Sequence, residues 1–376
     1  MSGGVDSSVA CALLVDRGFD VVGFTMKLLA NPPSYLDPAA RPCCTLEMTE
    51  DAKKICYLLG IPHYTINLVD EFEEEVIHPF IEEYVRGRTP NPCLWCNSKM
   101  KFGHLLKKAR EIGAQYLATG HYVRSGRFTP EGEFVENYDA YEDPRESRTL
   151  LLRGKDRFKD QSYALYDLNQ DMLSCSMFPL GRLTKKRVRE LAREKGLVTA
   201  EKPESQEICF VTAGNYRTFL EERGVKLEPG FIRDTSGRIL GRHHGIPFYT
   251  VGQRKGLGIS APEPLYVVAI DPEANEIIVG RREEAYSVGA YVENLNLIAR
   301  SSLGDPVRGT CMVRYRGKEV PATMMEDEAG KETGVSSRAL VKFDEPQFAV
   351  TPGQALVFYQ GEVVFGGGII SRPARP

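Results

Sequence analysis

With 376 residues, 42% of them hydrophobic and 26% charged, the chain has the make-up of a globular protein long enough for two or three domains, each with its own core. A formal net charge of −3 argues against indiscriminate polyanion binding, so a nucleic-acid contact has to come from local basic patches. No apolar run approaches the roughly 20 residues of a membrane span and no secretory signal is visible, which gives no membrane role and a cytoplasmic expectation; nine scattered cysteines then read as core and reactive thiols, not a secreted disulfide framework.

The sequence opens on Met1-Ser2-Gly3-Gly4-Val5-Asp6-Ser7-Ser8 and runs into an apolar helical pattern at Val9, Ala10, Leu13 and Leu14. Gly3 and Gly4 let successive backbone N–H groups converge on an anion that the helix N-terminus also attracts, and Ser2, Ser7 and Ser8 add hydroxyl donors. The stretch reads as a phosphate cradle, although two glycines alone would equally suit an ordinary turn. It lacks the lysine of a P-loop NTPase, and its one charge, Asp6, would repel phosphate unless it caps the helix or helps hold Mg²⁺. Such a loop normally leaves the end of a parallel strand. The expectation is therefore that the sequence begins at an internal Met of a longer reading frame.

Gly18 closes the first helix, and residues 20–26 read as a buried strand. Residues 31–44, with Pro32, Pro33, Pro38 and Pro42, cannot be regular structure. Ala52, Ile55, Cys56 and Leu59 recur at helical spacing, 63–68 is the next strand, and 72–85 is an amphipathic helix that Pro79 should kink. Another helix around Phe102, Leu105, Leu106, Ala109 and Ile112 leads to a strand at 116–119. This alternation predicts an α/β fold with a parallel sheet and ligands at the strand C-terminal ends. Residues 124–148 read as a polar, irregular excursion, and 184–196 as a helix capped by Thr184. From Gly245 onward short β-type runs at 247–251, 265–270, 276–279, 310–315, 338–343 and 354–358 predict an all-β module, a small barrel. The predicted domains are 1–212, 213–283 and 284–376.

Two segments are locally basic. Residues 99–110 carry Lys99, Lys101, Lys107, Lys108 and Arg110, and residues 182–195 carry seven Lys or Arg against Glu190 and Glu194. A solvated helix face explains each as well as a binding surface does. Cys93 and Cys96 stand in Thr89-Pro90-Asn91-Pro92-Cys93-Leu94-Trp95-Cys96-Asn97, read as an extended loop before a helix start, where nearby Lys99 and Lys101 favour the thiolate. The plainer reading is half of a metal site, for which Cys43 and Cys44 are the sequence-local partners. Cys209, in Ser205-Gln206-Glu207-Ile208-Cys209-Phe210, taken alone reads as a buried strand residue. Gly120-His121-Tyr122 falls at a strand end, where a doubly wound sheet places nucleotide contacts. Lys159-Asp160-Gln161 is a polar cluster, and 252–258 and Arg314-Tyr315-Arg316 supply cations, the latter with an aromatic, for phosphate and base contacts.

Taken in order, the glycine loop, Thr-Pro-Asn-Pro-x-x-x-Cys-Asn-x-x-x-Lys-Phe, Ala-Thr-Gly-His-Tyr, Lys-Asp-Gln-Ser-Tyr, Ser-Gln-Glu-Ile-Cys-Phe, Gly-Gln-Arg-Lys-Gly-Leu-Gly and Phe-Gly-Gly-Gly-Ile-Ile resemble the tRNA-specific 2-thiouridylases of the PP-loop ATP pyrophosphatase superfamily, from Ser2 to about Ile370. The resemblance implies a Rossmann-like PP-loop catalytic domain, a small central domain and a C-terminal β-barrel. It implies that ATP with Mg²⁺ adenylates the C2 oxygen of the wobble uridine of tRNA and that sulfur, brought by a sulfur-relay or cysteine desulfurase donor protein, replaces it. Cys209 matches the persulfide-carrying position and Cys96 its partner thiol, which releases sulfur by forming a disulfide with Cys209. Ser2, Gly3, Gly4, Val5, Asp6, Ser7, Ser8, Met26 and Gly120 match nucleotide contacts. Asn91, Pro92 and Cys93 match the target-base contact, and Lys159, Asp160, Gln161, Arg314 and Tyr315 match tRNA contacts. Cys93 departs from the acid found in many members. That raises a less favoured alternative, an iron–sulfur cluster on Cys93, Cys96 and Cys209. Other readings are a PP-loop ligase that adenylates a small acid, and a non-catalytic RNA-binding protein with a zinc-stabilised Cys-x-x-Cys.

Overall fold

The structure, a computed structural model, describes residues 1–30, 46–129, 131–137, 148–202, 208–211, 216–327 and 338–375. The proline-rich 31–44 stretch with Cys43 and Cys44, and the Ser205-Gln206-Glu207 run, lie outside the described residues. The elements begin α1 (Val5–Asp16), β1 (Gly23–Lys27), α2 (Leu46–Leu58), β2 (His63–Asn67), α3 (Val69–Phe72), α4 (His78–Val85), α5 (Pro92–Trp95), α6 (Leu106–Glu111) and β3 (Leu117–Ala118). They continue with β4 (Val123–Phe128), β5 (Phe134–Glu136), β6 (Leu150–Arg153), α7 (Gln170–Ser174), β7 (Ser176–Met177), α8 (Lys185–Glu194) and α9 (Tyr216–Glu222). Ten strands follow: β8 (Gly230–Asp234), β9 (Ile239–His243), β10 (Tyr266–Asp271), β11 (Glu276–Gly280), β12 (Tyr286–Leu297), β13 (Val307–Met312), β14 (Val320–Glu326), β15 (Ala339–Phe348), β16 (Ala355–Gln360) and β17 (Val363–Ala374). The chain divides into two compact units, the first made of residues 1–76, 93–216 and 362–364, the second of 77–92, 217–361 and 365–376.

In the first unit α1 buries Val5, Val9 and Ala12 against Val188 and Ala192 of α8. As the sequence predicts, Thr184 caps α8, its hydroxyl accepting from the Arg187 N–H at 3.3 Å. The parallel pairing expected of the α/β pattern is present in two pairs, β1 with β2 from Gly23↔His63 to Lys27↔Asn67, and β3 with β7. Met1 lies beside β1: its amino group donates to the Phe24 carbonyl, and its carbonyl accepts from the Thr25 hydroxyl at 2.9 Å. The excursion expected from residue 124 is instead, in its described part, a hairpin of β4 and β5, with β6 on the other side of β4. Gly126 permits it, because a Cβ there would lie 2.0 Å from the Val135 carbonyl oxygen.

Pro79 does more than kink the helix predicted over 72–85. α3 ends at Phe72, a π-helical turn spans Glu73–Ile77, and α4 restarts with Pro79 in its first turn, where a missing N–H costs least.

The second unit holds a four-stranded sheet in the order β10-β11-β8-β9 and a closed six-stranded barrel. The barrel runs β12-β15-β14-β13-β16-β17 and closes by pairing β12 with β17. Its core is Val292, Met324, Val341, Leu356, Phe358 and Phe365. The run at 247–251 is not a strand: Ile246–Phe248 forms a 3₁₀ turn that buries all three side chains.

Candidate nucleotide and sulfur-transfer site

Gly3 has φ +64°, and a Cβ on it would lie 2.2 Å from the Met48 carbonyl oxygen, so glycine is required on both counts. Gly4 enters α1 in an extended conformation without a side-chain cap. The Ser2 N–H donates to Ser7 Oγ at 3.2 Å, and the hydroxyls of Ser7 and Ser8 donate to the Gly4 carbonyl at 3.2 and 2.9 Å. These bonds tie the loop to itself at a helix end whose first N–H groups have no intrahelical acceptor. Val5 and Ser8 are buried and serve the helix core.

Asp6 does not cap α1; its carboxylate is ion-paired. Both carboxylate oxygens lie 2.7 Å from Lys185 Nζ, and the Tyr122 hydroxyl donates to Oδ1 at 2.7 Å. Lys185 is itself mostly buried and sits 5.8 Å from the Tyr122 ring centroid. The negative charge in the loop is thus balanced by a lysine from the first turn of α8. Sequence reading missed Lys185 as a site residue; its only signal was membership of the basic 182–195 run.

Gly120 presses on the same loop. A Cβ there would stand 2.7 Å from the Asp6 carbonyl carbon and 2.8 Å from the Ser7 nitrogen. The neighbouring His121 is buried, its Nδ1 2.7 Å from the Thr119 hydroxyl and its Nε2 3.4 Å from Lys101 Nζ. Burial first, and the Lys101 ammonium second, hold its imidazole well below the usual range, so it is neutral. With Lys101 donating to Nε2, the ring proton belongs on Nδ1. Lys101 also donates to Asn97 Oδ1 at 2.8 Å. Ser2, Asp6, Ser7, Met26 and Gly120 come together on one cavity of about 470 Å³. Lys101, His121 and Gln161 face the same space.

Cys93 and Cys96 are not in an extended loop. The helix expected around Phe102 starts at Pro92 and runs unbroken through α5, a π-helical stretch Cys96–Leu105 and α6. Proline suits the start because its absent N–H would have no acceptor there. Three residues apart on a helical turn, the two cysteines share a face; Cys93 is exposed and Cys96 half-buried. Cys209 is also half-buried and lies in a turn, not a strand, with the Val211 N–H donating to the Ile208 carbonyl at 3.0 Å. Phe210 anchors that turn, meeting Phe72 edge-on with ring centroids 5.7 Å apart. Phe72 belongs to α3, which packs on the π-helical stretch that begins with Cys96. Among the described residues no three His, Cys, Asp or Glu side chains are grouped to hold a metal, and Cys93, Cys96 and Cys209 are all described.

The residues matched to tRNA contacts have varied surroundings. The Asp160 carboxylate accepts from the N–H groups of Gly154 and Ser162 and from the Ser162 hydroxyl at 2.9, 3.1 and 2.8 Å, with Arg153 3.6 Å away. Gln161 Oε1 accepts from the Tyr122 N–H at 3.0 Å. Both side chains thereby shape the loop on which Lys159 stands. In the second unit Asn91 and Pro92 end the 77–92 segment. Arg314 and Tyr315 lie in the turn after β13, where the Gly317 N–H closes on the Arg314 carbonyl at 3.0 Å and Arg316 sits 5.3 Å from the Tyr315 ring. They are turn residues, not strand residues.

Family models cover nearly the whole length. Residues 1–213 match a tRNA methyl transferase HUP domain, 217–281 a tRNA methyl transferase PRC-barrel domain, and 287–370 an aminomethyltransferase beta-barrel domain. The tRNA-specific 2-thiouridylase MnmA of Moorella thermoacetica is 47% identical, covering 100% of this chain and 99% of its own length. The tRNA-specific 2-thiouridylase MnmA 1 of Caldanaerobacter subterraneus subsp. tengcongensis is 46% identical over 100% of this chain and 97% of its own. That of Carboxydothermus hydrogenoformans is 46% identical over 99% and 96%. With the three modules in this order and that identity from end to end, the chain belongs to the tRNA-specific 2-thiouridylase family.

Proposed function

We propose that the protein is a cytoplasmic, ATP-dependent sulfurtransferase that replaces the C2 oxygen of the wobble uridine of tRNA by sulfur. The observation that carries this reading is the charge-balanced glycine loop opening on the same cavity as Lys101 and His121, in a unit that also holds Cys96 and Cys209. ATP is the second substrate. Its phosphates suit the N–H groups at the start of α1, and Mg²⁺ travels with them. Both oxygens of the loop's own carboxylate, Asp6, are engaged by Lys185, so no step is assigned to a metal on Asp6.

In this mechanism the uridine C2 oxygen attacks the α-phosphorus, pyrophosphate leaves and the N3 proton is lost. The carbonyl oxygen, a poor leaving group, has become part of AMP, a good one. The outer sulfur of a Cys209 persulfide then bonds to C2. The Cys96 thiolate attacks the inner sulfur, breaking the persulfide S–S bond, AMP departs, and N3 takes a proton back from solvent to give 2-thiouridine. A Cys96–Cys209 disulfide remains, and an external thiol reductant supplies the two electrons that reopen it. A cysteine desulfurase or sulfur-relay protein recharges Cys209. Asn91 to Cys93 serve the target base, and Lys159 to Gln161 with Arg314 and Tyr315 serve the rest of the tRNA.

The test is nucleoside mass spectrometry on a tRNA transcript incubated without oxygen with the protein, ATP, Mg²⁺ and a persulfide donor. Wild type should yield 2-thiouridine, and Cys209→Ala should yield none while still binding ATP and tRNA. Full turnover by Cys209→Ala would refute the persulfide role. Iron in the anaerobically purified protein, with loss of turnover on its removal, would establish the cluster alternative instead.

A further inference from the structure

A second cleft in the first unit has no part in the chemistry above. It measures about 380 Å³ and is lined by Arg124, Lys155, Arg157 and Arg182 around Phe134 and Glu362. Arg124, at 2.9 Å, and Arg157 both bond the same Glu362, while Arg182 Nε is 2.5 Å from the buried Glu136. Lys155 is exposed and has no ion-pair partner among the described residues. Among the described residues that line the cleft, four cations stand around one carboxylate, Glu362, in a chain whose net charge is negative. Holding like charges together costs free energy that a bound anion returns.

Beside the cleft, Phe158 follows Arg157 and precedes Lys159, and its side chain is 92% exposed. It is not there because the loop is loose. Asp156 Oδ1 accepts from the Phe158 N–H at 3.1 Å, the Asp156 carbonyl accepts from the Lys159 N–H at 3.0 Å, and Asp156 Oδ2 accepts from the Lys185 N–H at 2.9 Å. A pinned turn thus holds a bare aromatic ring in water between two cations. Cation-lined grooves with an adjoining exposed ring are how proteins hold single-stranded nucleic acid, the groove taking phosphates and the ring a base. An acidic protein surface would use the cations but would leave the ring unexplained.

We propose that this cleft binds tRNA backbone phosphates and that Phe158 stacks on an unpaired base of the same molecule, which makes the first unit a tRNA-docking surface beyond the residues matched by motif. The proposal rests on the tRNA reading of the function. Tests use exposed side chains so that folding is spared: Lys155→Ala with Arg157→Ala, and Phe158→Ala and Phe158→Trp, in the full chain, with tRNA-transcript Kd measured from low to moderate salt. The Lys155/Arg157 pair should weaken binding about tenfold at low salt and lower the slope of log K against log salt by about 1.5–2. Phe158→Ala should weaken binding about tenfold with the slope unchanged, and Phe158→Trp should restore it. If wild type binds and thiolates tRNA while all three variants match its Kd and slope, the surface is wrong and the function stands. If wild type binds no tRNA at any salt, the function and the surface fall together.

Discussion

Gly120→Ala tests whether the loop geometry determines nucleotide affinity. The new methyl would start 2.7 Å from the Asp6 carbonyl carbon and 2.8 Å from the Ser7 nitrogen, whereas ordinary contact begins near 3.4 Å. Both neighbours are main chain with no rotamer to swing aside, so one backbone retreats by about 0.6–0.7 Å. Overpacking of this kind costs about 1–3 kcal/mol. At about 2–4 °C per kcal/mol for a domain of this size, Tm falls by about 2–12 °C. The larger effect is on ATP. Moving the start of α1 by that amount takes a hydrogen bond of ~2.9 Å to ~3.5 Å, past useful geometry. A bond to a charged acceptor contributes about 1.5–3 kcal/mol, so the ATP Kd rises about 10- to 100-fold. Gly18→Ala is the control. It has φ +82° with nothing within 4 Å of the added carbon, so it bears backbone strain without touching the loop. Calorimetric titration with ATP beside thermal melts reads both. An unchanged Kd in Gly120→Ala, or an equal loss of affinity in Gly18→Ala, would refute the argument.

Lys185→Met strips the Asp6 carboxylate of its cation beside the phosphate cradle and should weaken ATP binding about tenfold through repulsion across a few ångströms. Adding Asp6→Asn to it should recover most of that, and a double variant as weak as the single would show that Lys185 acts elsewhere. His121 has its folded-state pKa depressed, so its contribution is intact above the unfolded value near 6.5 and is lost as pH falls below it, by at most about 1.4 kcal/mol per pH unit. His121→Gln should flatten the unfolding free energy between about pH 6.5 and 5; no flattening in denaturant melts would assign the dependence to His63 and His243, which burial also lowers. Arg314→Ala should weaken tRNA binding and reduce its salt slope by about 1. An unchanged slope would make Arg314 only a turn residue.

Much of this site was legible in the sequence because its signals are local. The glycine loop, the strand-end Gly120 and the Thr184 cap each state a backbone requirement within a few residues, and each is met. What could not be read is what joins distant segments. Nothing around Asp6 announces that residue 185 will neutralise it, and the basic run around Lys185 looks like any solvated helix face. The helix start at Pro92 was hidden for another reason: Pro90 and Pro92 together suggest extended chain, yet a proline at the first helical position is compatible with a start there. The hairpin at 123–136 was missed because its charged residues mask a short alternation that Gly126 makes possible.

The distribution of thiols bears on how the chain could keep reactive sulfur in one place. Cys11 lies in α1 and Cys56 in α2, both after the glycine loop in sequence, and Cys311 lies in the barrel; all three are buried. Burial pushes the Cys11 and Cys311 thiols up to about 12 and raises Cys56 as well. A thiol protonated at physiological pH is a poor nucleophile and accepts sulfur slowly from a persulfide donor. Cys93 is exposed and Cys96 and Cys209 are half-buried, and Cys209 stands on a turn anchored by Phe210 to the helix that packs beside Cys96. Burial thereby withdraws Cys11, Cys56 and Cys311 from thiolate chemistry, while Cys175, like Cys96 and Cys209, is half-buried. The Phe72–Phe210 contact ties the Cys209 turn to α3, which packs on the helical stretch that begins with Cys96.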